Sequence, residues 1–181
     1  MPYTDLLRLT VFLAGGEATA LAAVTVVSAG AKDDTLTLLV AAAWWPLAVA
    51  IGLYAGRPAR AAEGVRGALG QARTAVSLPD ENPNRIALER LWPIGITALA
   101  AGAIGFFFPG VTAIGAGWAL LVALAWRGRE PTVLAVEQRD GVRFYVEPGS
   151  ALRPVSLVRT PGLGSDRSPA GHPPPPPPAT G

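Results

Sequence analysis

Glu17 is the residue whose chemistry stands out first, because it lies in the middle of a long apolar segment. A charged carboxyl near the centre of a bilayer costs a few kcal/mol on insertion scales, so the group must be neutral, paired or hydrated. Arg8 lies about 13.5 Å away along a helix, which is too far for an ion pair within the chain. Glu17 therefore indicates a neutral hydrogen-bonding group between helices, a site on a proton or cation path, or a contact with a partner.

Trp44, Trp45 and Pro46 form a second set of intramembrane candidates, at the centre of another apolar segment. Each indole N–H is a hydrogen-bond donor, and a proline inside a helix frees a carbonyl group and kinks the helix. The candidate partners of the Glu17 carboxyl are water, a neighbouring subunit, the two tryptophans, and Thr19, Thr97 and Thr112.

The chain offers little material for enzymatic chemistry. It has no cysteine, and its single histidine, His172, lies in a proline-rich tail. These counts exclude a thiolate metal site and an imidazole acid or base in the body of the protein. The net charge of +2 is small. The sequence also has no basic stripe interleaved with aromatic residues, which is the pattern that nucleic-acid binding requires. We expect a protein that is not an enzyme, with no cofactor, no metal and no nucleic-acid partner.

The elements that carry these residues have the composition of a membrane protein. Half of the 181 residues are hydrophobic, only 15% are charged, and the apolar residues come in blocks. Residues 6–29 and 35–55 are each long enough to cross about 30 Å of hydrocarbon as a helix. A signal peptide ending near Ala29 is the rival interpretation of the first block, but that block is long for a signal peptide and contains Glu17.

Residues 92–127 form a second apolar block, which Pro109-Gly110 divides into two short arms. Small residues recur along both arms, as close helix packing in lipid requires. The block predicts a second transmembrane hairpin, with a re-entrant hairpin as the alternative.

The polar insert at residues 57–91 separates the two hairpins, at residues 1–56 and 92–127. Its first part predicts an amphipathic helix, whose apolar stripe is Ala62, Val65, Leu69, Ala72 and Val76. The arginines that we expect at the membrane surface are Arg60, Arg66 and Arg73. The helix either covers the ends of the transmembrane helices or lies on the lipid. Residues 77–84 have turn composition, and the next helix should begin near Asn84.

The arginines predict the orientation. Six of the fourteen lie in the insert, seven lie from Arg127 onward, and the remaining one is Arg8. If the insert is cytoplasmic, all of them lie inside and only Lys32 lies outside, as the positive-inside rule favours. Both termini are then cytoplasmic.

Residues 128–162 have the composition of strands. Residues 133–139 and 142–147 flank Asp140-Gly141, a strong signal for a two-residue β-hairpin turn. Residues 152–158 predict a third strand, which Pro154 should confine to an edge. Because so short a segment cannot bury a core of its own, we expect it to dock on the helix ends, on the insert or on a partner.

Residues 163–181 contain six consecutive prolines, 173–178, and predict a disordered tail with local polyproline II structure. This tail is either inert or a ligand for an aromatic-lined groove.

These patterns predict an all-α integral membrane protein with four transmembrane helices, an amphipathic cytoplasmic helix, a small cytoplasmic β-hairpin and a disordered tail. The excess of arginine over lysine, with abundant Ala, Gly and Pro, is typical of proteins from GC-rich bacterial genomes. We therefore expect the protein to lie in a bacterial inner membrane. Two functions remain open. The first is a non-enzymatic protein that scaffolds or regulates a partner at the cytoplasmic face. The second is a subunit of a small oligomeric transporter or channel that uses Glu17, and a homo-oligomer would suit it.

Overall fold

A computed structural model describes residues 1–74, 82–151 and 153–161 of the chain. Within them, six helices and three strands occur in the order α1 Tyr3–Ala31, α2 Thr35–Ala55, α3 Pro58–Gly70, β1 Arg73–Thr74, α4 Pro83–Phe107, α5 Pro109–Trp126, α6 Arg129–Asp140, β2 Val142–Val146 and β3 Leu157–Pro161. Several predicted features lie outside the described residues: Val76 of the apolar stripe, most of the turn at 77–84, Leu152, and the proline-rich tail at 163–181.

Four of the described helices are long and apolar enough to cross a membrane. Helix α2 has the predicted bounds, and α1 extends beyond both ends of its predicted span. The side chain of Asp34 caps α2, because Asp34 Oδ1 accepts from the Thr37 backbone N–H at 3.1 Å and Oδ2 accepts from the Thr37 hydroxyl at 2.6 Å. These bonds hold the pKa of Asp34 below its usual range.

Helix α5 is the centre of the bundle. It packs most extensively on α1 and α2, which have little contact with each other. The buried face of α5 is made of small residues, among them Ala113, Ala116 and Gly117. Small residues let helix backbones approach closely, which stabilises helix pairs in lipid. The two predicted hairpins therefore interleave, because α5 of the second packs against both helices of the first.

One end of the bundle, which we name the arginine-rich end, consists of the start of α1, α3, the start of α4, α6 and the sheet, together with the α2–α3, α5–α6 and β2–β3 connections. Buried apolar side chains from these four helices and from β2 and β3 form one core: Tyr3, Leu6, Leu7, Val65, Ile86, Leu91, Val133, Val142, Phe144, Val146 and Leu157. The segment after α5 thus obtains its cover from the helix ends and from α3, two of the docking sites expected for it. The apolar side of α3 packs into this core through Val65, as the covering interpretation predicts.

The predicted strand at residues 133–139 is wrong, because these residues belong to α6. Gly141 has φ 62° and ends α6 in the left-handed region, where glycine has no Cβ penalty. Asp140-Gly141 is therefore a helix terminus and not a hairpin turn. Val133 is fully buried on α6, with Val136 and Glu137 one turn later on the same side.

The sheet also differs from the prediction. Strand β2 forms where expected, but its antiparallel partner is β3, which pairs Val142 with Pro161 and Val146 with Leu157. The described residues 153–156 are not in a strand, so the predicted strand at residues 152–158 is largely wrong. The strand that forms, β3, begins at Leu157 and lies between β1 and β2 and not at an edge. The backbone N–H of Val146 donates to the Met1 carbonyl at 2.9 Å, which places the start of the chain on the other edge of β2.

Helix α3 ends at Gly70, earlier than the apolar stripe predicts. Its three glycines after Glu63 lower helix propensity by about 1 kcal/mol each relative to Ala. Arg73, expected on the helix, lies instead in β1, where it pairs in parallel with Val158.

The opposite end of the bundle, which we name the loop end, contains residues 32–34 and the turn at Phe108. The Lys32 ammonium donates to the carbonyls of Phe106 at 3.1 Å and Phe107 at 2.9 Å. A cation at a helix C-terminus is favourable, because the last carbonyls there have no partner in the helix. Lys32 thus fastens the α1–α2 loop to the end of α4.

Candidate functional site

Glu17 lies half-buried on α1, next to the buried Ala18. Of its predicted partners, the one that interacts with its carboxyl is Thr97 on α4. The Thr97 hydroxyl donates to the carbonyls of Pro93 and Ile94 on its own helix, both at 2.9 Å. Because a hydroxyl has one proton, it offers Glu17 a lone pair, and a neutral carboxyl can donate to that oxygen.

The surroundings of Glu17 place it toward the outside of the bundle. Its neighbour Gly16 is exposed, and Thr97 is exposed on α4. Buried hydroxyls elsewhere in the bundle are used locally: Thr25 donates to Leu21 O at 2.8 Å, and Thr112 donates to Pro109 O at 2.8 Å. Each of these bonds stays within one helix, so these hydroxyls do not extend a polar path away from Glu17.

The two tryptophans bind α5. The Trp45 indole N–H donates to the Ala113 carbonyl at 2.9 Å, and the Trp44 indole N–H donates to the Ile114 carbonyl at 3.2 Å. An indole has one N–H, so neither tryptophan also donates to Glu17. Glu17 and the tryptophans are therefore separate features and do not form one polar site.

Gly117 makes room for the Trp44 bond. A Cβ at residue 117 would collide with the Trp44 ring, so glycine is required for the ring to lie against α5. The Trp44 ring also contacts Trp118, with centroids 6.1 Å apart. Pro46 lies inside α2 and is exposed, so it faces away from this contact.

The three predicted surface arginines do not lie together. Arg60 donates to the Tyr54 hydroxyl at 3.1 Å and stacks on the Tyr54 ring. Arg66 donates to the Ala62 carbonyl of its own helix at 3.2 Å. Arg73 lies in the sheet, as described above. Of the three arginines, only Arg60 therefore lies beside an aromatic residue at a helix end.

Two contacts of the arginine-rich end were not predicted from the sequence. Arg90 on α4 donates to the carbonyls of Ser150 at 3.1 Å and Arg153 at 2.9 Å, which holds the β2–β3 connection against the helix. Arg8 forms an ion pair with Glu130 at 2.6 Å and so joins α1 to α6. The only signal in the sequence is that each arginine borders an apolar block. The carbonyl or carboxylate that it would meet depends on the tertiary fold.

In the part of the chain that the structure describes, no three His, Cys, Asp or Glu side chains are grouped so that they could bind a metal ion. What the arrangement offers instead is a bundle held by small residues and indole hydrogen bonds, with a packed arginine-rich end. Comparisons of the chain with models of protein families, with curated proteins and with solved structures find no match.

Proposed function

We propose that this chain is a non-enzymatic multi-pass protein of a bacterial inner membrane, and that its arginine-rich end is a cytoplasmic platform that scaffolds or regulates a protein partner. The distribution of charge supports the orientation. Every described arginine belongs to the segments of the arginine-rich end, whereas Lys32 lies at the loop end. The positive-inside rule then assigns the arginine-rich end, with both termini, to the cytoplasm.

The observation that carries the proposal is the shared core of the arginine-rich end. Side chains from four helices and two strands pack there, including Leu7, Val65, Ile86, Val133 and Val146, each at most 1% exposed. Such packing gives the surface above it a defined shape. A defined surface attached to apolar helices suits the recognition of a partner better than it suits membrane anchoring alone.

The interior of the bundle supports the same class. Helix contacts around α5 use alanine and glycine, and the buried hydroxyls of Thr10, Thr25 and Thr112 all bond to backbone carbonyls of their own helices. Transport pathways are usually lined by polar or ionisable groups. A bundle packed in this way favours a structural role for the helices.

Site-specific photocrosslinking in intact membranes tests the platform. A photoreactive amino acid at Leu134 or at Arg143 would lie on the exposed surface of α6 or β2. We expect a discrete protein adduct at one or both positions. Leu99, which is 76% exposed on α4, is the matched control and should react with lipid. A protein adduct at Leu99, with none at Leu134 or Arg143, would contradict the proposal.

A transporter or channel subunit is the second candidate, and the position of Glu17 supports it. The carboxyl lies between α1 and α4 toward the outside of one copy, so a second copy would have to complete any path through it. Substitution of Glu17 separates this candidate from the first.

A further inference from the structure

We propose that the arginine-rich end contains a binding site for the phosphate group of an anionic phospholipid. The site consists of three residues, which we name the arginine cluster: Arg57, Arg60 and Arg129. The inference deepens the proposed function and rests on it, since the arginine-rich end must lie at a membrane surface. It differs from a helix lying on lipid, because the apolar side of α3 is already packed against the protein.

Close contact between Gly56 and Gly128 brings the cluster together. A Cβ at Gly128 would collide with the carbonyl oxygen of Gly56, so the α2–α3 and α5–α6 junctions touch at their backbones. Arg57 directly follows one glycine, and Arg129 directly follows the other. Two chain segments far apart in sequence thus supply cations to one place.

Helix α3 adds the third arginine on the same side. The guanidinium Nη2 of Arg129 lies 3.8 Å from the position that a Cβ of Gly64 would take. Gly64 is one helical turn after Arg60, so the two positions share a face of α3. Arg66 lies on the other flank of the helix, because it is two residues beyond Gly64.

Aromatic rings set the depth of the cluster. The guanidinium groups of Arg57 and Arg60 lie 5.0 and 4.3 Å from the centroid of the Tyr54 ring. The Arg129 guanidinium lies 4.1 Å from the Trp126 centroid. Tyr and Trp at helix ends occupy the headgroup region of a bilayer. Stacking uses the face of a guanidinium, and Arg60 also donates one N–H to the Tyr54 hydroxyl. The remaining N–H groups can still donate to phosphate oxygens.

No carboxylate neutralises the cluster among the described residues. The ion pairs found there join Arg8 to Glu130, Arg85 to Glu89 and Arg139 to Asp140. Of the acids on α3 and at the start of α6, Glu63 forms no ion pair with a described residue, and Glu130 is engaged by Arg8. Three arginines against one unengaged carboxylate leave a positive site at the membrane surface, which anionic headgroups complement.

The apolar surface beside the cluster favours a lipid over a soluble anion. Ile51 and Leu47, one and two turns before Tyr54 on the same face of α2, are 41% and 53% exposed. A phospholipid with its phosphate at Arg57 and Arg60 could lay its acyl chains along this side of α2. Inorganic phosphate would satisfy the arginines and leave the apolar surface uncovered.

Native mass spectrometry of the purified full chain from mixed detergent micelles tests the site, with phosphatidylglycerol and phosphatidylcholine of the same acyl chains as probes. We expect the wild-type protein to retain phosphatidylglycerol in preference. Arg60→Gln with Arg129→Gln should reduce that preference by about tenfold or more, since each arginine near an anionic surface contributes roughly a fivefold gain. Arg60→Lys with Arg129→Lys keeps both charges and should retain most of it.

Arg143→Gln with Arg159→Gln is the matched control, because it removes two exposed charges from the sheet. It should leave the preference unchanged. An equal loss in this control, an unchanged preference in the Arg60/Arg129 glutamine pair, or displacement of the lipid by millimolar inorganic phosphate would overturn the proposal. If the glutamine pair does not fold, Arg57→Gln carries the same test, and the preference should fall by roughly fivefold.

Binding in micelles does not depend on the orientation of the protein in a cell. A lack of lipid preference would therefore overturn the lipid site and leave the proposed orientation standing. An inverted orientation in cells, together with intact lipid preference in micelles, would refute the proposed function and not the binding site.

Discussion

The Trp45 indole on α2 donates a hydrogen bond to the Ala113 carbonyl on α5 at 2.9 Å. This bond crosses between helices that are distant in sequence, at the centre of α2. The neighbouring Trp44 indole donates to the Ile114 carbonyl at 3.2 Å, and it can lie against α5 because residue 117 is glycine. Trp45 therefore fixes how α2 sits on α5.

Trp45→Phe keeps an aromatic ring and removes the donor. We expect a loss of about 1 kcal/mol in the free energy of unfolding, the usual size of an interhelical hydrogen bond in a membrane protein. The melting temperature in detergent measures it. Trp118→Phe is the control, because Trp118 is 56% exposed and its N–H makes no helix–helix bond with the described residues. Equal effects of the two substitutions would show that the Trp45 bond contributes little.

Gly117→Ala should destabilise the bundle, because the new Cβ would collide with the Trp44 ring. Overpacking of this kind costs about 1–3 kcal/mol. Gly102→Ala on α4 is a matched control, since a Cβ there meets nothing within 4 Å. Thermal unfolding of the two variants should separate them, with Gly102→Ala neutral or slightly stabilising. A stable Gly117→Ala protein would mean that α2 and α5 are not packed as closely as described.

Gly141→Val tests the end of α6. A β-branched residue is strained at φ 62°, so we expect faster proteolysis between residues 130 and 148 with membrane insertion unchanged. Asp140→Ala discriminates the helix terminus from a hairpin turn. Asp140 is the last residue of α6, where alanine is favourable, whereas a type I′ turn would need positive φ at both residues. If Asp140→Ala were cleaved as fast as Gly141→Val, the segment would be a hairpin after all.

The long apolar helices were predictable because their signal is local. The run of apolar residues in α2, bounded by Asp34 and Gly56, suffices to predict its ends. The segment after α5 was not predictable in the same way, because Asp140-Gly141 suits both a hairpin turn and a helix terminus. The choice depends on Val133, which is buried in a core shared with α1, α3 and α4. Only the tertiary fold reveals that core.

The candidate site was likewise predictable only where a local sequence signal suffices. That Glu17 and the tryptophans need polar partners follows from their chemistry, and Thr97 was among the expected partners of Glu17. That Trp44 and Trp45 bond to α5 carbonyls does not follow, because any helix offers such carbonyls. The Trp44 bond depends on Gly117, whose role is apparent only once α2 lies against α5.

Glu17 substitutions separate the two functional classes. If the carboxyl is a neutral group bonded to Thr97, Glu17→Gln should keep stability and cellular function, because the amide also donates and accepts. Glu17→Leu should then lower the melting temperature modestly, through loss of about 1 kcal/mol. If Glu17 carries protons or cations, glutamine cannot titrate, and flux in reconstituted vesicles should vanish while the fold survives. A pH- or cation-dependent wild-type flux that glutamine abolishes would move the protein to the transporter class.

Accessibility of single cysteines in intact cells tests the central claim, which is that the arginine-rich end is cytoplasmic. The chain has no cysteine of its own, so each introduced thiol reports one position. Asp33→Cys and Gly110→Cys report the loop end, and Gln71→Cys and Gln138→Cys report the arginine-rich end. With an impermeant thiol reagent, we predict labelling of the first two in intact cells and of the second two only after permeabilisation. Labelling of Gln71→Cys from outside would contradict the arrangement, and failure at Gly110→Cys alone would indicate a re-entrant hairpin.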